Sequence, residues 1–473
     1  MSEENQHPES LSSDESASAA DEESTPFREK SVFTRLISFL EARTKHVASE
    51  KWREPVLQAV PLWIASLLIG CIAVGYAKLF TWIEHWSSGW VEQYPYLIFI
   101  FAPVAFLLGW WIVQRWAPFA SGSGIPQLMA AIELSTPRRY KEAGRFVSFR
   151  VIVVKVLSSI CVLLGGGAIG REGPTLQIAG SVFNLVHTYL PKRWPNLSQK
   201  LMLITGGAAG LAAAFNTPLG GIVFVVEELT RTHLVHFRTA IFTSVIIAGM
   251  AAQWLLGPYL YLGYPKVPIA GFSFVWIVLL ASIASGLLGA LFGRIAFLIS
   301  KAKRSLKTKS AQIMVVLASG VAFAGMVYLS NIQSMGSGKE VMTTLLFEGH
   351  KEKEWTLPLV RFIGPLLTYA SGAAGGIFAP SLSAGATIGY VLSELLGLPL
   401  ESYNLIILVS MVGFLTGVTR SPFTSAILVL EMTDRHSAIF HLMLAGMVAS
   451  LVALLIDKES FYERIKKQYL QTI

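Results

Sequence analysis

Arg171 and Glu172 stand side by side in "GGGAIGREGPTLQIAG", residues 165–180, inside one of the most apolar stretches of the chain. Ionisable side chains are expensive in such surroundings, and where they persist they point to function by default. The glycines and Pro174 predict a helix that stops and restarts here, leaving free backbone N–H groups and a partial positive charge at the new N-terminus. That is an anion site made of backbone. "GSGIP" at 122–126 and "GGIFAP" at 375–380 repeat the pattern, and Ser123 adds a hydroxyl donor to the first. Three such starts, converging, would hold one dehydrated anion without the burial of a full cationic charge. Glu172 then reads as a competitor. Ionised, its carboxylate takes the anion's place; protonated, it leaves, and both desolvation and a neighbouring anion disfavour its charged form. A structural Arg171–Glu172 pair is the plainer alternative, but adjacent residues on a helix point in different directions.

Three further groups carry charge near apolar runs. "GIVFVVEEL" places Glu227 and Glu228 at the far end of an apolar helix. Glu431 stands in Glu227's place in a second copy of this segment, which suits both to bonding backbone groups, whereas Met432 stands opposite Glu228. Glu228 is therefore the candidate to relay protons. Lys155, in "FRVIVVKVLSSICVLL", either snorkels, pairs with a carboxylate or lends its field to anions. Gly165, Gly167 and Gly170 also fit the dinucleotide pattern G-x-G-x-x-G, but an apolar run precedes them and no acid follows at the required distance, so that reading is discarded.

The elements that must hold these residues are membrane helices. The chain has 473 residues, 53% of them hydrophobic and 14% charged, with mean hydropathy +0.54. Apolar runs recur along most of its length, several exceeding the ~20 residues that span a bilayer as a helix. Shorter runs broken by Gly and Pro read as broken or re-entrant helices. The expectation is an all-α polytopic membrane protein. Residues 1–26 are a disordered acidic tail, with eight acids and no Lys or Arg. Residues 27–53 form an amphipathic helix on the cytoplasmic surface, and 459–473 a short basic cytoplasmic tail. Basic clusters before residue 54, at 137–145 and at 301–309 place the N-terminus and both loops in the cytoplasm by the positive-inside rule. No cleavable signal peptide is expected. Cys71 and Cys161 lie in apolar segments and suggest neither a disulfide nor a metal site; no cofactor is expected.

Between these ends the chain is duplicated. Pro174 and its surroundings match those of Pro380, 206 residues on, and Pro218 and its surroundings match those of Pro422, 204 residues on. The two halves, 54–262 and 263–458, carry broken helices at corresponding positions, the pattern from which a central transport site is inferred.

"GSGIP", "GREGP" and "GIFAP", in this order over roughly residues 54–465, closely resemble the CLC family of chloride channels and chloride/proton antiporters, above all its bacterial exchangers. The resemblance implies an inverted-repeat fold assembled as a homodimer with one pore per subunit, with chloride and protons as substrates in a bacterial inner membrane, and neither enzyme activity nor a nucleic-acid partner is expected. It makes Ser123 the central chloride-coordinating serine, with Gly124, Ile125, Arg171 and Gly173 in the same site. Ile377 and Phe378 become backbone donors, and Tyr462 a chloride-coordinating tyrosine. Glu172 becomes the external gating glutamate and Glu228 the inner proton glutamate. A serine at position 123, where nitrate-selective plant relatives have proline, implies chloride. Gln127 and Met129 stand where some bacterial exchangers have acids. The alternative is a passive voltage- or pH-gated chloride channel on the same fold. A membrane-embedded hydrolase or transferase is disfavoured, since neither H-E-x-x-H nor G-x-S-x-G occurs.

Overall fold

Long helices are interspersed with short ones, as the interrupted hydropathy requires. The computed structural model describes residues 50–191, 194–230, 238–257, 260–267, 274–348 and 355–473; the acidic segment 1–26 and the stretch 27–49 lie outside the described residues. The first half contains α1 (Glu50–Gln93), α2 (Ile98–Trp116), α3 (Ile125–Leu134), α4 (Phe149–Leu164), α5 (Glu172–Thr188), α6 (Gln199–Phe215), α7 (Pro218–Phe224) and α8 (Arg238–Leu256). The second contains α9 (Val275–Ser305), α10 (Lys309–Ser330), α11 (Lys339–Phe347), α12 (Leu357–Ala370), α13 (Phe378–Leu395), α14 (Leu400–Thr419), α15 (Pro422–Thr433) and α16 (Ile439–Ala453). A last helix, α17 (Phe461–Leu470), occupies the terminal segment. Among the described residues the only β-type pairings are two isolated bridges.

Seven helices among the described residues are long and apolar enough to cross a membrane. The short ones matter more for function. At ten residues, α3 is about 15 Å long, half of a bilayer's ~30 Å core. Its end therefore falls at membrane depth, where each free backbone group must find a partner within the protein or a cavity. At the opposite extreme, 94% of the α14 span is buried. Apolar on every side, α14 is the post against which α9, α13 and α16 pack.

The repeat is visible in how helices stop. Asn216 and Arg420 both adopt left-handed backbone, with φ of 57° and 65°, and end α6 and α14. Pro218 and Pro422, pre-set for a first helical turn, start α7 and α15. Asn tolerates this conformation well. Arg420 is held in it by its Nη2, which donates to the Ala453 carbonyl at 2.6 Å and the Asp457 carbonyl at 2.8 Å.

The starts of α7 and α15 are capped by each other's half. Glu431 accepts from the Leu219 and Gly220 N–H groups at 3.0 and 2.6 Å. Glu227 accepts from the Phe423 and Thr424 N–H groups at 3.2 and 2.7 Å, and from the Thr424 hydroxyl at 2.7 Å. A carboxylate at a helix N-terminus satisfies orphan donors and complements the helix dipole. Glu227→Ala is therefore expected to lower stability by about 1–2 kcal/mol. The check is a thermal melt of the solubilised protein beside a proton-flux assay; a variant of unchanged stability and lost proton movement would make Glu227 a relay instead.

Candidate functional site

Backbone hydrogen bonds clip the three glycine-rich turns together. Gly122 donates to the Ala373 carbonyl at 2.8 Å and accepts from Gly375 at 3.1 Å, while Gly170 and Gly376 exchange bonds of 2.7 and 2.8 Å. The turns ahead of α3 and α5 are thus both fixed to the turn ahead of α13. Glycine is obligatory at the closest approaches. Gly124 has φ of 108°, and a Cβ there would lie 2.7 Å from the Gly173 carbonyl oxygen; a Cβ on Gly173 would strike the Ser123 hydroxyl. Gly376 in turn backs onto the Gly173 amide. The starts of α3, α5 and α13 form one contiguous surface, with Ser123, Gly124, Ile125, Arg171, Gly173, Ile377 and Phe378 at or beside it and Ile125, Ile377 and Phe378 all buried.

Tyr462 is delivered to this surface by α17. Ser460 caps the helix by accepting from the Glu463 N–H at 3.1 Å, and Lys466 ties it to α3 through Glu133 at 2.9 Å while also pairing with Glu463 at 3.0 Å. The Tyr462 side chain is fully buried beside Ser123. Neither the Ser123 nor the Tyr462 hydroxyl closes a hydrogen bond of normal geometry within the protein, although both are inaccessible. Two buried donors left open cost stability unless something accepts from them. An anion seated between them would do so.

Glu172 is the first residue of α5 and completely buried. Its Oε1 accepts from the Tyr261 hydroxyl at 3.2 Å and lies 4.0 Å from Arg171 Nε. Its Oε2 has no hydrogen-bond partner and lies over Gly170, where a Cβ would collide with it. Tyr261 is itself fixed edge-on to Phe215 and lies under the Lys339 ammonium at 4.7 Å from the ring centre. No motif marked Tyr261 in the sequence. Tyr261→Phe removes one donor to the carboxylate, a bond worth about 1.5–3 kcal/mol when the acceptor is charged. Chloride flux at fixed pH is expected to rise about tenfold as the carboxylate is held less firmly; flux equal to that of the parent protein would reduce Tyr261 to packing.

At its end α7 runs into a π-helical turn, Val225–Leu229, whose Glu227 and Glu228 take different partners. Glu228 accepts from the Ser421 hydroxyl at 2.7 Å. It also lines a cavity of 330 Å³ with Arg420, Lys458, Glu463 and Lys467. Tyr462 lies within electrostatic reach of both Glu228 and Glu172.

A family model described as "Voltage gated chloride channel" matches residues 104–454. The chain belongs to this family. Similar curated proteins include the H(+)/Cl(-) exchange transporter ClcA of Salmonella paratyphi B and that of Salmonella newport, each 28% identical over 419 residues that cover 85% of this chain and 86% of the relative. Among solved structures, a slow cyanobacterial Cl-/H+ antiporter superposes with a TM-score of 0.74 at 23% identity, covering 88% of this chain and 98% of the other. A CLC-type fluoride/proton antiporter gives 0.73 at 18% identity, covering 88% and 99%. The likeness establishes the CLC fold, an inverted repeat with broken and re-entrant helices, as the sequence implied.

Within that CLC fold the side chains behind the Ser123 turn become explicable. Lys155 is fully buried. It does not snorkel, and among the described residues it pairs with no acid: its ammonium donates to the Ala120 and Gly122 carbonyls at 3.0 and 2.7 Å. Gln127 accepts from the Gly124 N–H at 3.0 Å and donates to the Ser121 carbonyl and to the Tyr469 hydroxyl. Gln177, from α5, donates to the Phe119 and Phe146 carbonyls at 2.9 Å each. Acceptors on the backbone leave no trace in a sequence, which is why these contacts were not legible there.

Proposed function

We propose that this protein is a secondary active transporter that exchanges chloride for protons. The observation that carries the reading is the pair of buried, open hydroxyls on Ser123 and Tyr462 beside three converging helix starts, with a carboxylate, Glu172, at the same place. Chloride accepts from the hydroxyls and from the backbone N–H groups at the starts of α3, α5 and α13. Its dehydration is offset by donors that are already oriented. Glu172 competes for the site as an anion and yields it as an acid, so that proton uptake and chloride occupancy alternate. Glu228, between the site and its cavity, passes protons to the aqueous phase.

Orientation follows from charge. The end of α9 that carries Lys303 and Arg304 lies against α17, Arg304 donating to the Gln468 carbonyl at 3.3 Å, and α17 also lines the Glu228 cavity. The positive-inside rule places that face, with the N-terminus, in the cytoplasm. Glu228 is then the inner group and Glu172 the outer. The chain works in a bacterial inner membrane as a homodimer with one pore per subunit, in keeping with the relatives named as H(+)/Cl(-) exchange transporters. Transport, with no covalent chemistry on the substrate, needs no cofactor.

Purified protein in liposomes, given a chloride gradient and no initial pH gradient, tests the reading. Protons driven uphill at a fixed ratio to chloride are expected. Chloride flux without proton movement would place the protein with passive channels of the same fold.

A further inference from the structure

Lys339 begins α11, and neighbouring elements fix where it stands. Glu84, on α1, accepts from the Ser337 N–H at 2.6 Å and from the Ser337 hydroxyl at 3.0 Å. Arg361, on α12 and fully buried, donates through Nη1 to the Gln333 and Met335 carbonyls at 3.2 and 2.9 Å. Gly338 adopts left-handed backbone, with φ of 78°, and a Cβ there would collide with both Arg361 and Ser383, so glycine is required. The turn 333–338 is thereby set before its helix starts. It delivers the Lys339 ammonium over the Tyr261 ring, 4.7 Å from the ring centre. The ring is held in turn: Phe215 packs against it at 76° with centres 5.1 Å apart, and the adjoining Leu262 N–H donates to the Met432 carbonyl at 3.1 Å. The Tyr261 hydroxyl donates to Glu172. Cation, ring, hydroxyl and carboxylate thus form one line of contacts. The alternation of Glu172 with chloride makes no use of Lys339.

A cation over an aromatic face is held by the ring's electrons and polarises them. A phenol polarised in this way is a better donor, and in a low-dielectric interior the effect passes along a chain of contacts. Direct action of the ammonium on Glu172 is opposed. Lys339 lies within electrostatic reach of Glu172 and of Glu84, and Glu84 reaches Glu172 with the opposite sign. The other charged or titratable groups around Glu172 are Arg171 beside it, Tyr76 on α1, whose hydroxyl is engaged with Ser159 at 2.7 Å, and Tyr462 on α17. Of all these groups it is Lys339 that sits on the Tyr261 ring. We propose that Lys339 is a positioning residue for the gate: through the Tyr261 ring it strengthens the hydroxyl's hold on the Glu172 carboxylate, and so sets the pH at which Glu172 yields the anion site. The inference rests on the reading of Glu172 as that gate.

Chloride efflux from liposomes, recorded against pH for Lys339→Met, tests it. Met keeps an unbranched stem and lacks the charge. With the carboxylate held less firmly, Glu172 yields the site at higher pH. The flux curve is expected to move up by about half a pH unit, with flux about threefold higher on its alkaline limb. Lys339→Arg, whose guanidinium also stacks on aromatic faces, is expected to keep the parent curve. Tyr261→Phe supplies a second background: it retains the ring without the hydroxyl, so adding Lys339→Met should move its curve no further. A curve that Lys339→Met leaves in place, or moves equally in both backgrounds, overturns the proposal, as does a Lys339→Arg curve displaced like that of Lys339→Met. Glu172→Gln separates this from failure of the gate itself. Dependence on pH that survives in Glu172→Gln removes the gate and the inference with it; dependence lost there, with the Lys339→Met curve unmoved, overturns the inference alone.

Discussion

Glu172→Gln is expected to carry chloride while moving no protons against a gradient. The amide has the shape of the protonated acid, so it accepts from Tyr261 as the carboxylate does and leaves the start of α5 with little rearrangement. What it lacks is a proton to give up and a charge with which to compete for the anion's place. If alternation between Glu172 and chloride is the coupling step, proton flux should fall by about 100-fold, the lower end of what a positioned acid–base group contributes. Chloride flux should persist and lose its dependence on pH, since no carboxylate remains to reoccupy the site. Simultaneous recording of both ions from liposomes reads the two effects together. Uphill proton movement that survives the substitution would remove Glu172 from the proton path and leave it a structural residue.

Glu228→Gln is expected to give the same loss of proton flux by a different route. The bond from the Ser421 hydroxyl at 2.7 Å is available to an amide oxygen, so the π-helical turn keeps its geometry. Chloride movement should then be retained with its dependence on pH intact, because Glu172 still titrates from the other side. That contrast separates the two positions: Glu172→Gln abolishes both coupling and gating, Glu228→Gln abolishes coupling alone. Its neighbour supplies the control. Glu227 is engaged by two backbone amides and a hydroxyl of α15, and its loss should cost stability and leave coupling unchanged. Proton flux in Glu228→Gln equal to that of the parent protein would make Glu228 structural.

The parts of the site that depend on backbone conformation were legible in the sequence, because glycine and proline record conformation directly. "GSGIP", "GREGP" and "GIFAP" do begin α3, α5 and α13, and their repeat-related spacing does correspond to paired helices that stop and restart alike. Parts that depend on tertiary approach were not. Tyr261 lies between helices with no neighbouring motif, and only folding brings its hydroxyl to Glu172. Lys155 showed that a buried charge needed a partner, but carbonyl oxygens belong to every residue, so the sequence had no means of naming them. Asn216 at a left-handed helix end is a residue type that signals such an end; Arg420, in the same conformation, is not.

The reciprocal bonds of Glu227 and Glu431 bear on the ancestry of the molecule. Each half holds a short helix whose first amides are satisfied only by an acid from the other half. A single half expressed alone would leave those amides without their carboxylate partners. Two identical copies facing each other would satisfy both at once, each lending its carboxylate to its twin. Gene fusion would then have made permanent a partnership that was already compulsory, and later drift left in place the acids by which each half still caps the other.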